Sequence, residues 1–157
     1  MDTDEHRRAS LENWSTMAAG WERRRSEIDA IVSPVRNWLV HELAPLPGDT
    51  ILELAAGPGD TGLAAAALVG PEGRLIATDF SPEMIEIARR RADELGVENV
   101  EFQVMDAERL ELDNDSVDGV ICRFGFMLMA DRLNEMRSVF TELMRLAHSL
   151  TGEDHIS

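Results

Sequence analysis

The chain has 157 residues, of which 44% are hydrophobic and 29% charged, and this composition fits one globular domain with a sizeable core. Thirty acidic and fifteen basic residues give a net charge of −15, which argues against affinity based on neutralising phosphates, whether of a nucleic acid or of an anionic membrane. All fifteen basic residues are arginines and tyrosine is absent, so lysine Schiff bases, a P-loop lysine and tyrosine acid–base chemistry are excluded.

The single cysteine, Cys122, permits no intrachain disulfide and no cysteine-rich metal site, and no metal is predicted. The N-terminus lacks the apolar core of a signal peptide, and no apolar run approaches the roughly 20 residues of a membrane helix. A soluble, cytoplasmic protein is therefore expected.

Apolar residues at three- and four-residue steps predict helical structure from Leu11 to Leu43. Ser33 has the character of a helix N-cap, and Pro34 would then occupy the first helical position. Two helices that meet at Ser33–Pro34 are thus predicted rather than one kinked helix.

From Thr50 onward, short apolar runs alternate with helical windows, which is the pattern of βαβ units in a parallel sheet. The predicted strands are Thr50–Leu54, Arg74–Thr78, Val100–Met105 and Val117–Cys122. Helices are predicted at Thr61–Val69, at Pro82–Leu95 with Ser81 as N-cap and Gly96 just beyond its end, and at about Leu133–His148.

The loop after the first predicted strand is rich in glycine and leads directly into a helix. Gly57, Gly59 and Gly62 carry no Cβ atoms that would keep a nucleotide at a distance, and the helix N-terminus offers unpaired amides. This spacing alone also matches the dinucleotide-binding fingerprint and a tight turn without any ligand. The glycines therefore indicate a nucleotide site only in combination with other residues.

Three acidic residues lie near the ends of successive predicted strands. Glu53 lies within the first strand, where a carboxylate is costly unless it finds a hydrogen bond or a counter-charge. Asp79 ends the second strand and can accept both hydroxyls of a ribose. Asp106 ends the third strand, beside the apolar Met105 and Ala107, where it can accept from an adenine amine. Their recurrence at the edge where open α/β sheets bind ligands predicts a nucleoside site.

These motifs make the chain similar to class I S-adenosylmethionine-dependent methyltransferases, and in particular to the bacterial small-molecule group that resembles the quinone-biosynthesis enzymes. Three segments carry the resemblance in order over about residues 10–132: ELAAGPGDTG, TDFSPEMIEIAR and VMDAERLELDNDSVDGVICRFGFML. The resemblance implies an α/β fold with a Rossmann-like, doubly wound parallel sheet and N-terminal helices. It also implies S-adenosyl-L-methionine as cofactor and in-line methyl transfer to a small-molecule acceptor.

The resemblance further implies the roles of individual residues at the cofactor. Glu53 and the backbone of Gly57 and Gly59 would face the methionine part, and Asp79 the ribose. Phe80 would face the adenine ring, while Asp106 and Ala107 would lie at its edge. The full predicted cofactor-binding set is Glu53, Ala55, Gly57, Gly59, Asp79, Phe80, Met84, Asp106, Ala107 and Arg123. Within this set, Ala55 stands where the family usually has glycine, and its methyl group is expected to narrow the pocket.

Residues 123–127 leave the fourth strand toward the expected reaction centre and are predicted to line the acceptor pocket. Arg123 is the strongest candidate among them because a charge directly after a buried strand needs a partner. No catalytic residue is predicted. The four histidines, which would be the usual bases, are expected in helices or tails away from the strand ends: His6, His41, His148 and His155.

The predicted organisation is a helical cap at residues 1–48, a cofactor-binding core at 49–148 and a polar tail at 149–157. Trp14, Met17 and Trp21 form a stripe on the first helix that either covers the cofactor as a lid or packs against the core. Packing is favoured, because aromatic stripes at helical spacing usually belong to a core.

The C-terminal part departs from the family pattern. The family continues from its fourth strand through a helix into a Pro-Gly-Gly turn and further strands, and neither that turn nor a fifth strand is found here. We therefore expect a truncated sheet of about four strands, in which the fourth lies beside the first and forms an edge. Such an edge predicts self-association, pairing with a separate partner or only loose folding, together with weak or absent methyl transfer.

Two other functions stay open. A nicotinamide-dependent oxidoreductase would use the same glycine loop and ribose acid, yet it would not require Glu53 or Asp106, and short-chain types need a tyrosine and a lysine that are absent. The second alternative is a cofactor-binding remnant without turnover that acts at most as an interaction module.

Overall fold

A computed structural model describes residues 3–125 and shows two helices followed by alternating strands and helices. The predicted helix at Leu133–His148 and residues 126 and 127 lie outside the described residues. The elements in chain order are α1 (Thr3–Arg23), α2 (Arg25–Leu43), β1 (Thr50–Leu54), α3 (Asp60–Val69), β2 (Arg74–Asp79), α4 (Pro82–Leu95), β3 (Val100–Val104) and β4 (Gly119–Cys122).

The four strands form one parallel sheet in the order β3-β2-β1-β4. In the central strand, Leu52 pairs in register with Ile76 of β2 and Val120 of β4. Strand β1 thus lies beside β4, as expected, and the Rossmann-like α/β fold is confirmed. Because all four strands are parallel, their carboxyl ends meet at one edge of the sheet.

Alternation along the strands divides the apolar core between the two faces of the sheet. Ile51 and Leu75 contribute to a cluster with the buried face of α3, and α2 adds Val40 to the same cluster. Leu52 and Ile76 contribute to a second cluster, which also holds Leu54, Leu110 and Val117. The buried strand β1 is therefore held from both faces.

The boundary between the N-terminal helices lies at Arg24, so the predicted break at Ser33–Pro34 is wrong. Arg24 has φ −100° and ψ 12°, and Pro34 lies inside α2. A proline inside a helix removes one backbone hydrogen bond. The helix nevertheless continues to Leu43, because its C-terminal half packs Val40 and Leu43 against the core.

Apolar spacing overestimated how much of these helices is buried. Ile31 is 78% exposed and Trp38 60% exposed, while Met17 of the predicted aromatic stripe is 43% exposed. None of the described helices is long and apolar enough to cross a membrane.

Helix α1 begins at Thr3 rather than Leu11, and polar contacts attach both of its ends to the α/β core. Arg7 in its second turn forms an ion pair with Glu108, which follows β3. Near its C-terminal end, Glu22 accepts a 2.9 Å hydrogen bond from Arg90 of α4. These contacts position α1 beside the carboxyl edge of the sheet.

Candidate functional site at the carboxyl edge of the sheet

The loop between β1 and α3 turns sharply through residues with left-handed backbone conformations. Gly57 has φ +55° and Gly59 has φ +84°, values that L side chains rarely adopt. A Cβ atom at Gly57 would meet nothing within 4 Å, whereas one at Gly59 would lie 3.0 Å from the Cβ of Ala88. Open space therefore adjoins the backbone at Gly57, and Gly59 serves as the tightly packed N-cap of α3.

Gly62 has a different role from the one that its spacing suggests. A Cβ atom at this position would lie 2.1 Å from Oε2 of Glu53 and 2.9 Å from Cδ2 of Leu75. The third glycine of the motif thus makes room for the buried Glu53 side chain beneath α3. Sequence spacing gives no signal of this contact, because it joins residues on two different elements.

Glu53 is a carboxyl group enclosed in the core, with only 2% of its surface exposed. Its Oε1 accepts a 2.9 Å hydrogen bond from the amide of Gly62, and its Oε2 has no hydrogen-bond partner among residues 3–125. Burial raises the pKa of Glu53 to about 8, although the Gly62 amide and the charge of Arg123 act in the opposite direction. These surroundings therefore favour the protonated form of Glu53 at neutral pH.

Asp79 links the glycine loop to the start of α4. Its Oδ2 accepts from the amide of Gly57 and its Oδ1 from the amide of Ser81, each at 2.9 Å. The side chain is buried, and this burial raises the pKa of Asp79. Each carboxylate oxygen can accept more than one hydrogen bond, so the two amides leave acceptor capacity for a ligand.

Two adjoining cavities occupy this edge of the sheet. The first, here called the glycine-loop cavity, is lined by Trp14, Trp21, Glu53, Gly57, Asp79, Met84, Arg123 and Phe124, among others. The second, here called the Asp106 cavity, is lined by His6, Arg7, Ser10, Met105, Asp106, Ala107 and Glu108. Ala55, Phe80 and Gly125 line both.

Ala55 lies at the boundary between the two cavities and has a positive φ of +50°. Gly125 faces it: a Cβ atom at Gly125 would lie 2.7 Å from the Cβ of Ala55. The methyl group of Ala55 thus fits at this boundary because Gly125, which lies against it, has no side chain.

The Asp106 cavity combines a strand-end carboxylate with the first turns of α1. Oδ1 of Asp106 accepts a 2.9 Å hydrogen bond from the amide of Glu108, and its Oδ2 lies 3.8 Å from Nε of Arg7. The expectation that His6 lies away from the strand ends is wrong, because α1 starts early enough to bring His6 to this cavity. No pattern in the polar N-terminal sequence indicated that Arg7 and Ser10 would join it.

The glycine-loop cavity has an aromatic wall. Trp14 and Trp21 have ring centroids 5.9 Å apart, and they pack against Met84 and Ile87 of α4. The favoured interpretation of this stripe as core packing is confirmed for the two tryptophans. The same two side chains also border the cavity.

The segment after β4 supplies the opposite wall. Arg123 lines the cavity, and its Nη1 is buried without a hydrogen-bond partner in the described part of the chain. Phe124 follows with φ +63°, a rare conformation for a bulky residue, and it is 48% exposed. Such outliers concentrate at ligand sites, where the surrounding structure maintains them.

The structure therefore brings together nearly all of the residues that the sequence singled out. Nine of the ten predicted cofactor-binding residues line one or both cavities, and Gly59 lies just behind them as the N-cap of α3. The combined site offers buried carboxyl groups, two guanidinium groups, open space beside the Gly57 backbone and an aromatic wall. This set suits a ligand with a nucleoside at one end and a charged, flexible group at the other.

Comparison with known proteins gives a match in both sequence and structure. The sequence model of a family described as "Methyltransferase domain" matches residues 51–149. The uncharacterized methyltransferase YcgJ of Bacillus subtilis (strain 168) is 38% identical over 71 residues, which are 45% of this chain and 26% of that protein.

Solved structures agree with this match. The crystal structure of YcgJ has a TM-score of 0.62 and 31% identity, and the alignment covers 71% of this chain and 45% of that one. A SAM-dependent methyltransferase from Aquifex aeolicus has the same TM-score and 26% identity, covering 71% of this chain and 57% of that one. The chain thus spans about half the length of these solved relatives. Phosphoethanolamine N-methyltransferase 1 of Haemonchus contortus shares the fold over 94% of this chain and 31% of its own, with a TM-score of 0.79 at 21% identity.

Proposed function

Because the chain belongs to the methyltransferase-domain family, which uses S-adenosyl-L-methionine, we propose that it binds this cofactor and transfers its methyl group to a small-molecule acceptor. The observation that carries the proposal is the arrangement of Glu53, Asp79 and Asp106 along two adjoining cavities at one edge of the sheet.

The residues of the site fit the chemistry of the cofactor. The unpartnered Oε2 of Glu53 suits a cationic group, and the open space beside Gly57 allows the ligand to approach the backbone. In the proposal, these two residues hold the methionine part and Asp79 accepts from the ribose hydroxyls. Asp106 and Phe80 hold the adenine at its edge and its face.

The bound cofactor would supply an electrophilic methyl group on a sulfonium. In-line displacement at such a group depends mainly on the alignment of donor and acceptor and on the exclusion of water. Trp14, Trp21 and Phe124 exclude water from the glycine-loop cavity, and Arg123 orients an acceptor that enters beside Phe124. Residues 1–48 serve in this proposal as a cap on the cofactor-binding core at 49–148.

Calorimetric titration with S-adenosylmethionine and S-adenosylhomocysteine tests the proposal. Asp79→Asn and Asp106→Asn should each weaken binding by roughly ten- to a hundredfold, because each removes a charged hydrogen-bond acceptor worth about 1.5–3 kcal/mol. Asp113→Asn, on an exposed residue that lines neither cavity, is the matched control. Unchanged affinity in both site variants would show that the ligand binds elsewhere.

A parallel titration with a nicotinamide dinucleotide separates the family's function from that of an oxidoreductase. We expect no binding of the dinucleotide, or far weaker binding than that of S-adenosylmethionine. A thermal shift with the dinucleotide alone would reverse the assignment.

A second candidate function is cofactor binding without turnover, because more of the residues that line the two cavities are assigned to the cofactor than to an acceptor. Conversion of S-adenosylmethionine to S-adenosylhomocysteine in the presence of small aromatic, amine and hydroxyl acceptors distinguishes the two. Tight binding with no conversion by any acceptor supports the second function.

A further inference from the structure

Glu53 has an arrangement that the role of a simple anionic contact does not explain. One of its oxygens is held by the Gly62 amide, while the other is buried and unpartnered within residues 3–125. Glu53 is also one of the residues that line the glycine-loop cavity. Among the described residues, Arg123 is the cation that would offset the charge of a carboxylate in this position. A carboxylic acid would carry no charge.

We propose that Glu53 is protonated while the cavity is empty and loses its proton when the cationic end of the ligand enters, so that cofactor binding is coupled to proton release. The inference rests on the proposed function, because it takes S-adenosylmethionine as the ligand. On entry, the O–H bond of the carboxyl group breaks, the proton passes to a base in the solvent, and the carboxylate stays on Glu53 facing the ligand.

The charges around Glu53 support the protonated form in the empty site. Asp79 of β2 and Asp60 of α3 both disfavour a negative charge on Glu53, and Arg123 after β4 is the cation that favours one. Asp60 in turn has its own partner, Arg91 of α4, at 3.4 Å. Helices α1 and α4 contribute only uncharged side chains to this cavity, namely Trp14, Trp21 and Met84.

Burial is the largest of the effects on the pKa of Glu53, and it raises this pKa to about 8. A cation placed within roughly 4–6 Å of a carboxyl group lowers its pKa by about 1–3 units. S-adenosylmethionine carries an ammonium and a sulfonium group, so its binding lowers the pKa of Glu53 and favours the carboxylate over the carboxylic acid. Between the pKa of Glu53 in the ligand-bound site and its pKa in the empty site, the affinity for S-adenosylmethionine then increases with pH by up to about tenfold per unit.

The experiment is calorimetry with S-adenosylmethionine at pH 5.5, 6.5 and 7, in pairs of buffers that differ in ionisation enthalpy. We expect proton release that increases from pH 5.5 and approaches one proton per bound ligand at pH 6.5 and 7, with an affinity that increases by up to about tenfold between pH 5.5 and 6.5. Glu53→Gln keeps an acceptor for the Gly62 amide and should release no proton and bind with a pH-independent affinity. Glu86→Gln, on the exposed face of α4, should behave like the wild type.

A second ligand keeps the test decisive if Glu53→Gln does not fold. Methylthioadenosine shares the nucleoside but lacks both cationic groups, so the wild type should bind it without proton release. Equal release with both ligands, or binding of S-adenosylmethionine with no release and no pH dependence, would overturn the inference and leave the proposed function standing. Failure to bind S-adenosylmethionine at every pH would overturn the proposed function, and the inference with it.

Discussion

At the scale of single residues, the site depends on carboxyl groups that the protein buries at an energetic cost. Glu53 and Asp79 both have raised pKa values because they are removed from water. The structure offsets this cost with backbone amides from Gly62, Gly57 and Ser81. Such an arrangement sacrifices stability in favour of binding, and its cost is measurable in the absence of a ligand.

The ligand-free protein should lose stability as the pH rises from 4.5 to about 8, the window between the unfolded and folded pKa values of Glu53. Within it, the folded state retains a proton that the unfolded chain has released, so the stabilisation is complete below the window and lost above it. Each pH unit lowers the free energy of unfolding by at most about 1.4 kcal/mol. Burial also raises the pKa of Asp79, so its protonation affects stability with the same sign, beginning just above the ordinary pKa of an aspartate.

Urea denaturation at a series of pH values measures this effect. The Glu53→Gln variant should show a flatter profile because it has no proton to lose, whereas Glu86→Gln should follow the wild type. A wild-type stability that rises with pH across the same range would contradict the assignment of a protonated Glu53.

Gly62→Ala should destabilise the fold by about 2 kcal/mol, because the new methyl group must displace the buried Glu53 side chain or Leu75. Gly96→Ala, just after the C-terminal end of α4, is the matched control. A Cβ atom there meets open space but the residue has φ +67° and ψ +30°, so the substitution should cost about 1 kcal/mol through backbone strain alone. Thermal denaturation compares the two, and only Gly62→Ala should also weaken ligand binding. Equal losses of stability in the two variants would show that the Glu53 side chain moves away from the new methyl group at little cost.

At the scale of elements, α1 is the part of the site that depends most on polar contacts. Trp14 and Trp21 attach its middle to α4, while its N-terminal turns are held by the pairing of Arg7 with Glu108 and Asp106. The side chains of Arg7 and Glu108 are only 23% and 6% exposed, so the loss of this pair costs more than the loss of a surface ion pair. The pair also limits how often the N-terminal end of α1 opens.

Arg7→Ala should therefore increase amide exchange in residues 3–10 and lower the free energy of unfolding by about 1–3 kcal/mol. Arg8→Ala is the control, because the neighbouring Arg8 is exposed and contacts Asp4 of its own helix. Hydrogen exchange read by mass spectrometry resolves the segment. Exchange that is unchanged in Arg7→Ala would show that the tryptophan contacts alone hold α1 in place.

At the scale of the whole molecule, the described sheet has two unlike ends. Strand β3 carries Glu101 near its start, and this charge discourages pairing with another chain. The strand ends at Val104, whose side chain is 56% exposed. Strand β4 reads GVIC and pairs only with β1 among the described residues. The apolar β4 is therefore the end at which association with a second chain is expected.

We expect concentration-dependent self-association in sedimentation velocity, and Val120→Lys on β4 should reduce it. Gln103→Lys places the same charge on β3 and should have no effect. A monomer at all concentrations, with slow amide exchange throughout residues 119–122, would show that β4 is already covered.

Much of the fold was predictable, because the sequence patterns that determine it are local. Apolar runs of strand length, the Ser81 cap and Gly96 defined α4 and the strands to within two residues. The position of the break between α1 and α2 was not predictable, because Pro34 is a strong local signal for a helix start that the packing of α2 overrides. Local preferences are small beside the burial of an apolar helix face.

The sequence by itself determined that the chain folds as a parallel α/β sheet with acidic residues at successive strand ends, because parallel strands must bring Glu53, Asp79 and Asp106 to one edge. Only the tertiary structure decided what surrounds those residues. The pairing of Arg7 with Glu108 joins positions 101 residues apart, and Gly62 meets Glu53 across two elements. Such contacts depend on how elements pack, and the pattern within a single element contains no information about its neighbours.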